Sequence, residues 1–119
     1  RDAAAPEGPL WGIPIADKDL VARAGVPTRY GSRARADFVP TVSDPLAAAL
    51  DRAGAVSIGK TSTSEFGLTG YTEPRGGGAW ARDPWNPRYG AGGSSGGAAV
   101  SVATGVLAVA PASDGGGSI

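Results

Sequence analysis

The chain has 119 residues, 41% of them hydrophobic, and its eleven basic and eleven acidic residues give a formal net charge of zero. This length suits one small domain, and the balanced, scattered charge excludes a broad basic surface for nucleic acid. Because the sequence contains no cysteine and no histidine, these residues cannot form disulfides, thiolate metal sites, cysteine nucleophiles or a Ser-His-Asp triad.

The first part of the chain predicts one buried strand. Residues 1–9 are polar and rich in alanine and proline, which indicates a surface lead-in, and they lack the apolar core of a signal peptide. Residues 10–16 read as a short buried strand that delivers Lys18 at its end. Residues 24–40 contain several glycines and prolines and are predicted to form an irregular loop.

A helix and a second strand follow. The helix is predicted to begin at Asp44 and to stop at Gly54, and one of its faces carries three apolar residues, Leu46, Leu50 and Ala53. Residues 55–59 are rich in β-branched side chains and predict a strand. The order strand, helix, strand indicates a parallel α/β unit.

The second half predicts two further helices and a third strand. Hydroxyl-rich residues 61–68 predict a short helix, and residues 70–86 predict a loop anchored by buried Trp80 and Trp85. A helix is predicted over residues 96–104, closed by Gly105, followed by a strand over residues 106–110. No apolar run reaches the ~20 residues that span a bilayer.

Two glycine-rich turns, residues 89–97 and 113–119, each contain serine and are expected at the same edge of the sheet. Such turns aim backbone N–H groups at an anion, either a phosphate or the oxyanion of acyl transfer. A phosphate loop carries Lys before its final Ser or Thr, whereas Gly117 precedes Ser118 here. Acyl transfer is the better fit, and only Lys18 and Lys60 could supply a lysine base.

Four ordered blocks of the sequence resemble the amidase signature family of serine hydrolases. They are Gly-Ile-Pro-Ile-Ala-Asp-Lys-Asp at 12–19, Gly-Lys-Thr with Glu-Phe-Gly within 59–67, Asp-Pro-Trp-Asn-Pro at 83–87, and Gly-Gly-Ser-Ser-Gly-Gly with Asp-Gly-Gly-Gly-Ser-Ile within 92–119. The resemblance implies an α/β fold, part of a mixed, largely parallel sheet core flanked by helices. Residues 1–119 would be the N-terminal portion of one amidase signature domain that ends just after its nucleophile, so the remainder of the domain would be needed to complete the fold.

The resemblance also implies the site. Ser118 would be the nucleophile, Ser94 a bridging serine preceded by a cis peptide bond, and Lys18 the base. The separation of 24 residues from Ser118 selects Ser94 over Ser95. Lys18 must then lose its proton more readily than the ordinary pKa of ~10.4 allows, which burial could achieve. The remaining expected roles are an oxyanion hole at Gly115, Gly116 and Gly117, support by Ser95 and Asp114, and a fold-supporting role for Lys60.

The implied activity is hydrolysis of a small-molecule carboxylic amide to a carboxylate and ammonia or an amine, through an acyl-enzyme. The resemblance implies no cofactor, no metal, no nucleic acid and no membrane partner. We expect a cytoplasmic, bacterial protein and leave a homodimer open. One alternative is the glutaminase-type subunit of a transfer-RNA-dependent amidotransferase. Another is a non-catalytic module that binds an anion in its glycine turns, or an inactive fragment.

Overall fold

The computed structural model describes residues 8–119, so nearly all of the predicted lead-in lies outside the described residues. A parallel two-stranded sheet forms from β1, Pro14–Lys18, and β2, Val56–Thr61. The helix between them, α1, is Pro45–Arg52, and α2 is Gly96–Ala103. The strand-helix-strand order of the first half and its parallel pairing are therefore as predicted.

Strand β1 lies later in the chain than predicted, at Pro14–Lys18 and not at residues 10–16. A turn occupies the earlier residues, because Gly12 has a φ of 75° and the N–H of Ile13 donates to the carbonyl of Leu10 at 2.9 Å. Lys18 is consequently the last residue of β1. It pairs with Thr61, the last residue of β2, so both strands end at one edge of the sheet.

Helix α1 begins and ends as predicted, but a different face is buried. Ala47 is fully buried, whereas Leu46 is 42% exposed. An alanine on the inner face lets a helix lie close to its neighbours, and the larger leucine is left towards solvent. Asp44 precedes the helix without capping it, because its carboxylate accepts the N–H of Ala22 at 2.8 Å.

Three predictions for the second half are wrong. Only a short 3₁₀ helix, Glu65–Gly67, forms within residues 61–68, since Phe66 has a φ of 50° and breaks the helical path. Residues 106–110 form no strand, because no described strand lies beside them, and Val106 is 71% exposed. Trp80 and Trp85 are exposed and not buried, and Trp80 packs against the guanidinium of Arg82 at 4.8 Å.

Helix α2 was correctly placed, and the glycines at its start set its position. It follows Ser95 and ends before Gly105, which has a φ of 73°. A Cβ on Gly96 would lie 2.5 Å from Thr72 Oγ1, and one on Gly97 would overlap the backbone of Ser62. The first turn of α2 therefore lies directly against the chain that follows β2. Within residues 8–119, no helix has the length and apolarity to cross a bilayer.

Candidate active site

A buried lysine amine lies at the centre of the site. Lys18, at the end of β1, has no solvent-exposed surface. Its Nζ is 2.9 Å from Ser94 Oγ and 2.7 Å from Ser95 Oγ. The same Nζ is 3.0 Å from the hydroxyl and 3.1 Å from the carbonyl oxygen of Ser113. Three hydroxyls and one carbonyl thus surround a single amine, and all come from the two glycine-rich turns.

The environment of Lys18 favours its neutral form. Burial lowers the pKa of the Lys18 amine from its ordinary value of 10.5, because a charged ammonium loses its hydration there. The negative charge of Asp114 opposes this shift without cancelling it. The result is an amine that gives up its proton more readily than a surface lysine does.

The first turn holds Ser94 and Ser95 against Lys18. The Gly93–Ser94 peptide bond is cis, as the resemblance led us to expect. Gly93 lies against the backbone of Tyr71, where a Cβ would come within 2.7 Å. The Thr72 hydroxyl donates to the carbonyl of Gly92 at 2.8 Å and accepts the N–H of Gly96 at 3.1 Å. Thr72 thereby connects the two ends of the turn.

The second turn folds around the carboxylate of Asp114. One carboxylate oxygen accepts the N–H groups of Gly116 at 2.9 Å and Gly117 at 2.5 Å, and the other accepts that of Ile119 at 3.2 Å. These bonds, led by that of Gly117 and including one from Ser118, lower the pKa of Asp114. The backbone donors predicted to form an oxyanion hole therefore do converge on an anion, and in this conformation the anion is the chain's own carboxylate.

Ser118 lies on the turn next to the lysine cluster. The N–H of Ser95 donates to the carbonyl of Ser118 at 3.1 Å, which ties the two turns together. Ser118 is half-buried and lines a cavity of about 480 Å³ that also contacts Gly93 and Ser95. Among the described residues, no hydrogen bond is formed by the Ser118 hydroxyl. The structure thus puts Lys18 in direct contact with Ser94 and Ser95 and leaves Ser118 facing open space.

Lys60, the other lysine, takes no part in this cluster. Its amine donates to the carbonyl of Val21 and, at 3.2 Å, to the Thr28 hydroxyl, and it lies 3.6 Å from Asp19. These contacts join the end of β2 to the loop after β1. They are consistent with the fold-supporting role expected for Lys60.

Sequence reasoning missed two residues of the site. Ser113 contacts Lys18 through both its hydroxyl and its carbonyl, yet it was assigned no role. Its position directly before Asp114, inside the second turn, could have indicated it. Thr72 gave no signal of its own, because a single threonine in a loop has no pattern. Within residues 8–119, no group of three or more His, Asp or Glu side chains could hold a metal ion.

The α/β unit and the two serine-containing glycine turns around a buried lysine define the class of protein to which the chain should be compared. The chain belongs to the Amidase family, whose sequence profile matches residues 1–119. A Synechocystis sp. protein named as an amidase is 46% identical over 114 residues, which cover 96% of this chain and 22% of that protein. One component of the glutamyl-tRNA(Gln) amidotransferase of Azoarcus sp. is 45% identical over 119 residues, covering 100% of this chain and 24% of that component.

A solved structure agrees with this assignment. The corresponding component of the glutamyl-tRNA(Gln) amidotransferase of Thermotoga maritima superposes with a TM-score of 0.88 at 34% identity, covering 97% of this chain and 25% of that one. The fold is therefore that of an amidase signature domain. The chain spans about a quarter of the length of the relatives it matches.

Proposed function

We propose that the protein hydrolyses a carboxylic amide, with Ser118 as nucleophile, Ser94 as proton relay and Lys18 as base. The observation that carries this proposal is the buried Lys18 amine 2.9 Å from the Ser94 hydroxyl. A serine hydroxyl attacks an amide only when a base takes its proton, and a desolvated lysine is such a base. We further propose that residues 1–119 belong to one larger amidase domain, since the relatives are about four times as long.

The hydrogen bonds around Lys18 favour Ser94 over Ser95 as the relay. A neutral amine has two N–H donors and one lone pair, and the lone pair needs a hydroxyl that donates to it. Ser95 has another acceptor for its proton, because its hydroxyl also donates to the carbonyl of Ser113 at 3.2 Å. Ser94 has no second acceptor among the described residues. Its proton is therefore available to Lys18.

The proposed reaction proceeds by proton transfer along this line. Ser94 passes its proton to Lys18 as it takes the proton of Ser118, and Ser118 Oγ forms a bond to the amide carbon. The tetrahedral adduct then collapses with cleavage of the C–N bond, and the proton returns from Lys18 through Ser94 to the leaving nitrogen. Water attacks the resulting ester by the same relay, which releases the carboxylate and restores the Ser118 hydroxyl.

The second turn would stabilise the charge that develops on the carbonyl oxygen. Backbone donors in comparable oxyanion holes contribute about 3 kcal/mol each. The N–H groups of Gly116 and Gly117 already meet at an anionic oxygen of Asp114, which supports the assignment of Gly115, Gly116 and Gly117 to this role. The substrate oxyanion would share these donors with the carboxylate.

A fluorophosphonate probe tests the proposal directly. In the full-length protein, we expect covalent labelling of Ser118, and we expect both Ser118→Ala and Lys18→Ala to abolish it. Ser62→Ala is the matched control, because Ser62 is another serine near α2 but its hydroxyl donates only to the carbonyl of Ala79. A protein that binds anions without catalysis would remain unlabelled. Labelling that persists in Lys18→Ala would contradict the role of the lysine.

The second candidate function is the glutaminase of a tRNA-dependent amidotransferase, because relatives of that name match the whole chain. The cavity beside Ser118 favours the simple amidase. Its described lining consists of glycines, serines and small apolar residues and includes no charged side chain that could pair with the charged groups of free glutamine. Glutamine hydrolysis that requires a partner protein and tRNA would reverse this preference.

A further inference from the structure

A buried charge network lies beside Lys18 and has no role in the proposed reaction. The carboxylate of Asp17 is fully buried, and the Arg23 side chain that faces it is 10% exposed. Arg23 donates to both oxygens of Asp17, from Nε at 2.7 Å and from a terminal nitrogen at 3.3 Å. This is the two-point geometry that makes an Arg–carboxylate pair strong and directional.

The network joins four segments of the chain. The Ser57 hydroxyl, on β2, donates to Asp17 at 3.0 Å. Arg23, on the loop after β1, donates from its other terminal nitrogen to Asp51 of α1 at 2.5 Å. The Asp17 carboxylate thus fixes the end of β1 to its partner strand, to the following loop and, through Arg23, to α1.

Strand β1 needs such an anchor at this point. The pairing of β1 with β2 shifts register between Ile15 and Ala16, immediately before Asp17. Irregularities of this kind disrupt the ladder of backbone hydrogen bonds locally. Side-chain bonds at Asp17 therefore supplement a weakened ladder one residue before Lys18. Because neighbouring residues of a strand point to opposite faces, Asp17 can hold the strand without contacting the lysine amine.

We propose that Asp17 and Arg23 are positioning residues for Lys18, which fix the end of β1 so that its amine stays desolvated among the serine hydroxyls. This rests on the proposed function, in which Lys18 is the base. Stability alone is a weak explanation for the pair, because replacing a buried ion pair with apolar residues often leaves stability unchanged or improved. A geometric role explains why charges that are costly to bury lie next to the base.

The test compares kinetics with stability in the full-length protein. In Asp17→Asn, we expect kcat to fall about tenfold or more while KM stays within about twofold, because a displaced base affects the chemical step more than substrate binding. The acid limb of the kcat profile should move to higher pH, since a looser Lys18 is better hydrated. The groups that face Lys18 are the hydroxyls of Ser94, Ser95 and Ser113 and the charge of Asp114, and this variant changes none of them.

Two further variants and one control keep the result interpretable. Arg23→Lys preserves the charge but not the two-point contact, and it should shift the limb in the same direction by a smaller amount. Asp17→Asn combined with Arg23→Gln removes both charges and leaves no unpaired ion if the single variant does not fold. Glu73→Gln disrupts the half-exposed pair with Arg82, whose charged atoms are 3.6 Å apart, and should move neither quantity.

The outcomes separate the two proposals. A lower melting temperature with an unmoved acid limb and an unchanged kcat per labelled site would show that the network is only structural, and the proposed function would stand. Wild-type protein that neither reacts with the fluorophosphonate nor hydrolyses amides would overturn the proposed function and this inference with it.

Discussion

The amine of Lys18 and the hydroxyl of Ser94 are hydrogen-bonded at 2.9 Å although 76 residues separate them in the chain. Lys18 arrives at this point at the end of β1, and Ser94 arrives on the turn that leads into α2. Neither residue alone distinguishes a catalytic site from an ordinary surface or turn. Their contact in a buried position makes the proposed chemistry specific enough to test.

The pH dependence of catalysis should report the state of Lys18. The base must be neutral, so kcat/KM should rise with pH as Lys18 loses its proton. Since burial lowers the pKa of Lys18, this acid limb should lie below 10.5. Lys60, whose pKa burial also lowers, provides the control: Lys60→Gln should leave the limb in place. A limb at 10.5, or a limb that moves only with Lys60, would argue against Lys18 as the base.

The two neighbouring serines of the first turn should differ in importance. Ser94→Ala removes the relay and should lower kcat by about a thousandfold, comparable to the loss of a triad member. Ser95→Ala removes one hydrogen bond to Lys18 and should cost about tenfold, because a net hydrogen bond contributes about 1 kcal/mol. Burst and steady-state kinetics on one amide measure both. Equal losses in the two variants would show that the relay assignment is wrong.

Ser113 should contribute through its hydroxyl to the placement of Lys18. Ser113→Ala keeps the carbonyl contact at 3.1 Å and loses the hydroxyl contact at 3.0 Å. We expect a loss of about tenfold in kcat with little change in KM. Ser113→Thr retains the hydroxyl and should recover most of the activity. No loss in the alanine variant would restrict the role of residue 113 to its backbone.

Asp114 should be needed as an ionised group. Its carboxylate holds the second turn, and because its pKa is lowered, this stabilisation is present above the ordinary value of 3.8 and is lost only as the pH falls through the lower folded-state value. Asp114→Asn removes the charge at all pH values and should slow fluorophosphonate labelling by about tenfold or more. Faster labelling in this variant would instead show that Asp114 competes with the oxyanion for the N–H groups.

The close packing of α2 should make Gly97 intolerant of any side chain. A Cβ at Gly97 would overlap the backbone of Ser62, so Gly97→Ala should lower the free energy of unfolding by about 1–3 kcal/mol or more. Gly59→Ala is the matched control, because a Cβ there would have no neighbour within 4 Å. Denaturant unfolding of the two variants gives the comparison, and equal stabilities would contradict the packing described here.

Local signals predicted the elements that local chemistry determines. Asp44 and Gly54 marked the ends of α1, Ser95 and Gly105 marked those of α2, and the parallel pairing followed from the order of elements. The strand predicted at residues 106–110 failed because an apolar run becomes a strand only when another strand lies beside it. Trp80 and Trp85 were wrongly buried for a similar reason, since burial depends on what packs against a residue.

The candidate site shows the same division. The resemblance placed Lys18, Ser94 and Ser118 by spacing alone, and the lysine and Ser94 do meet in the fold. The contacts of Ser113, Thr72 and Asp17 could not be read from the sequence, because each depends on which distant segment the fold brings opposite. A carboxylate inside a buried strand, as at Asp17, is the sequence feature that could have suggested a hidden partner.

The hydrogen bond from the Ser95 N–H to the Ser118 carbonyl uses only main-chain atoms. Exchanging serine for alanine at position 118 therefore leaves the join between the two turns intact while deleting the oxygen proposed to attack. A protein altered in this way should still hold its natural amide but be unable to cut it. Immobilised as bait, it offers a route for fishing the unknown compound out of a metabolite extract and reading its identity by mass spectrometry.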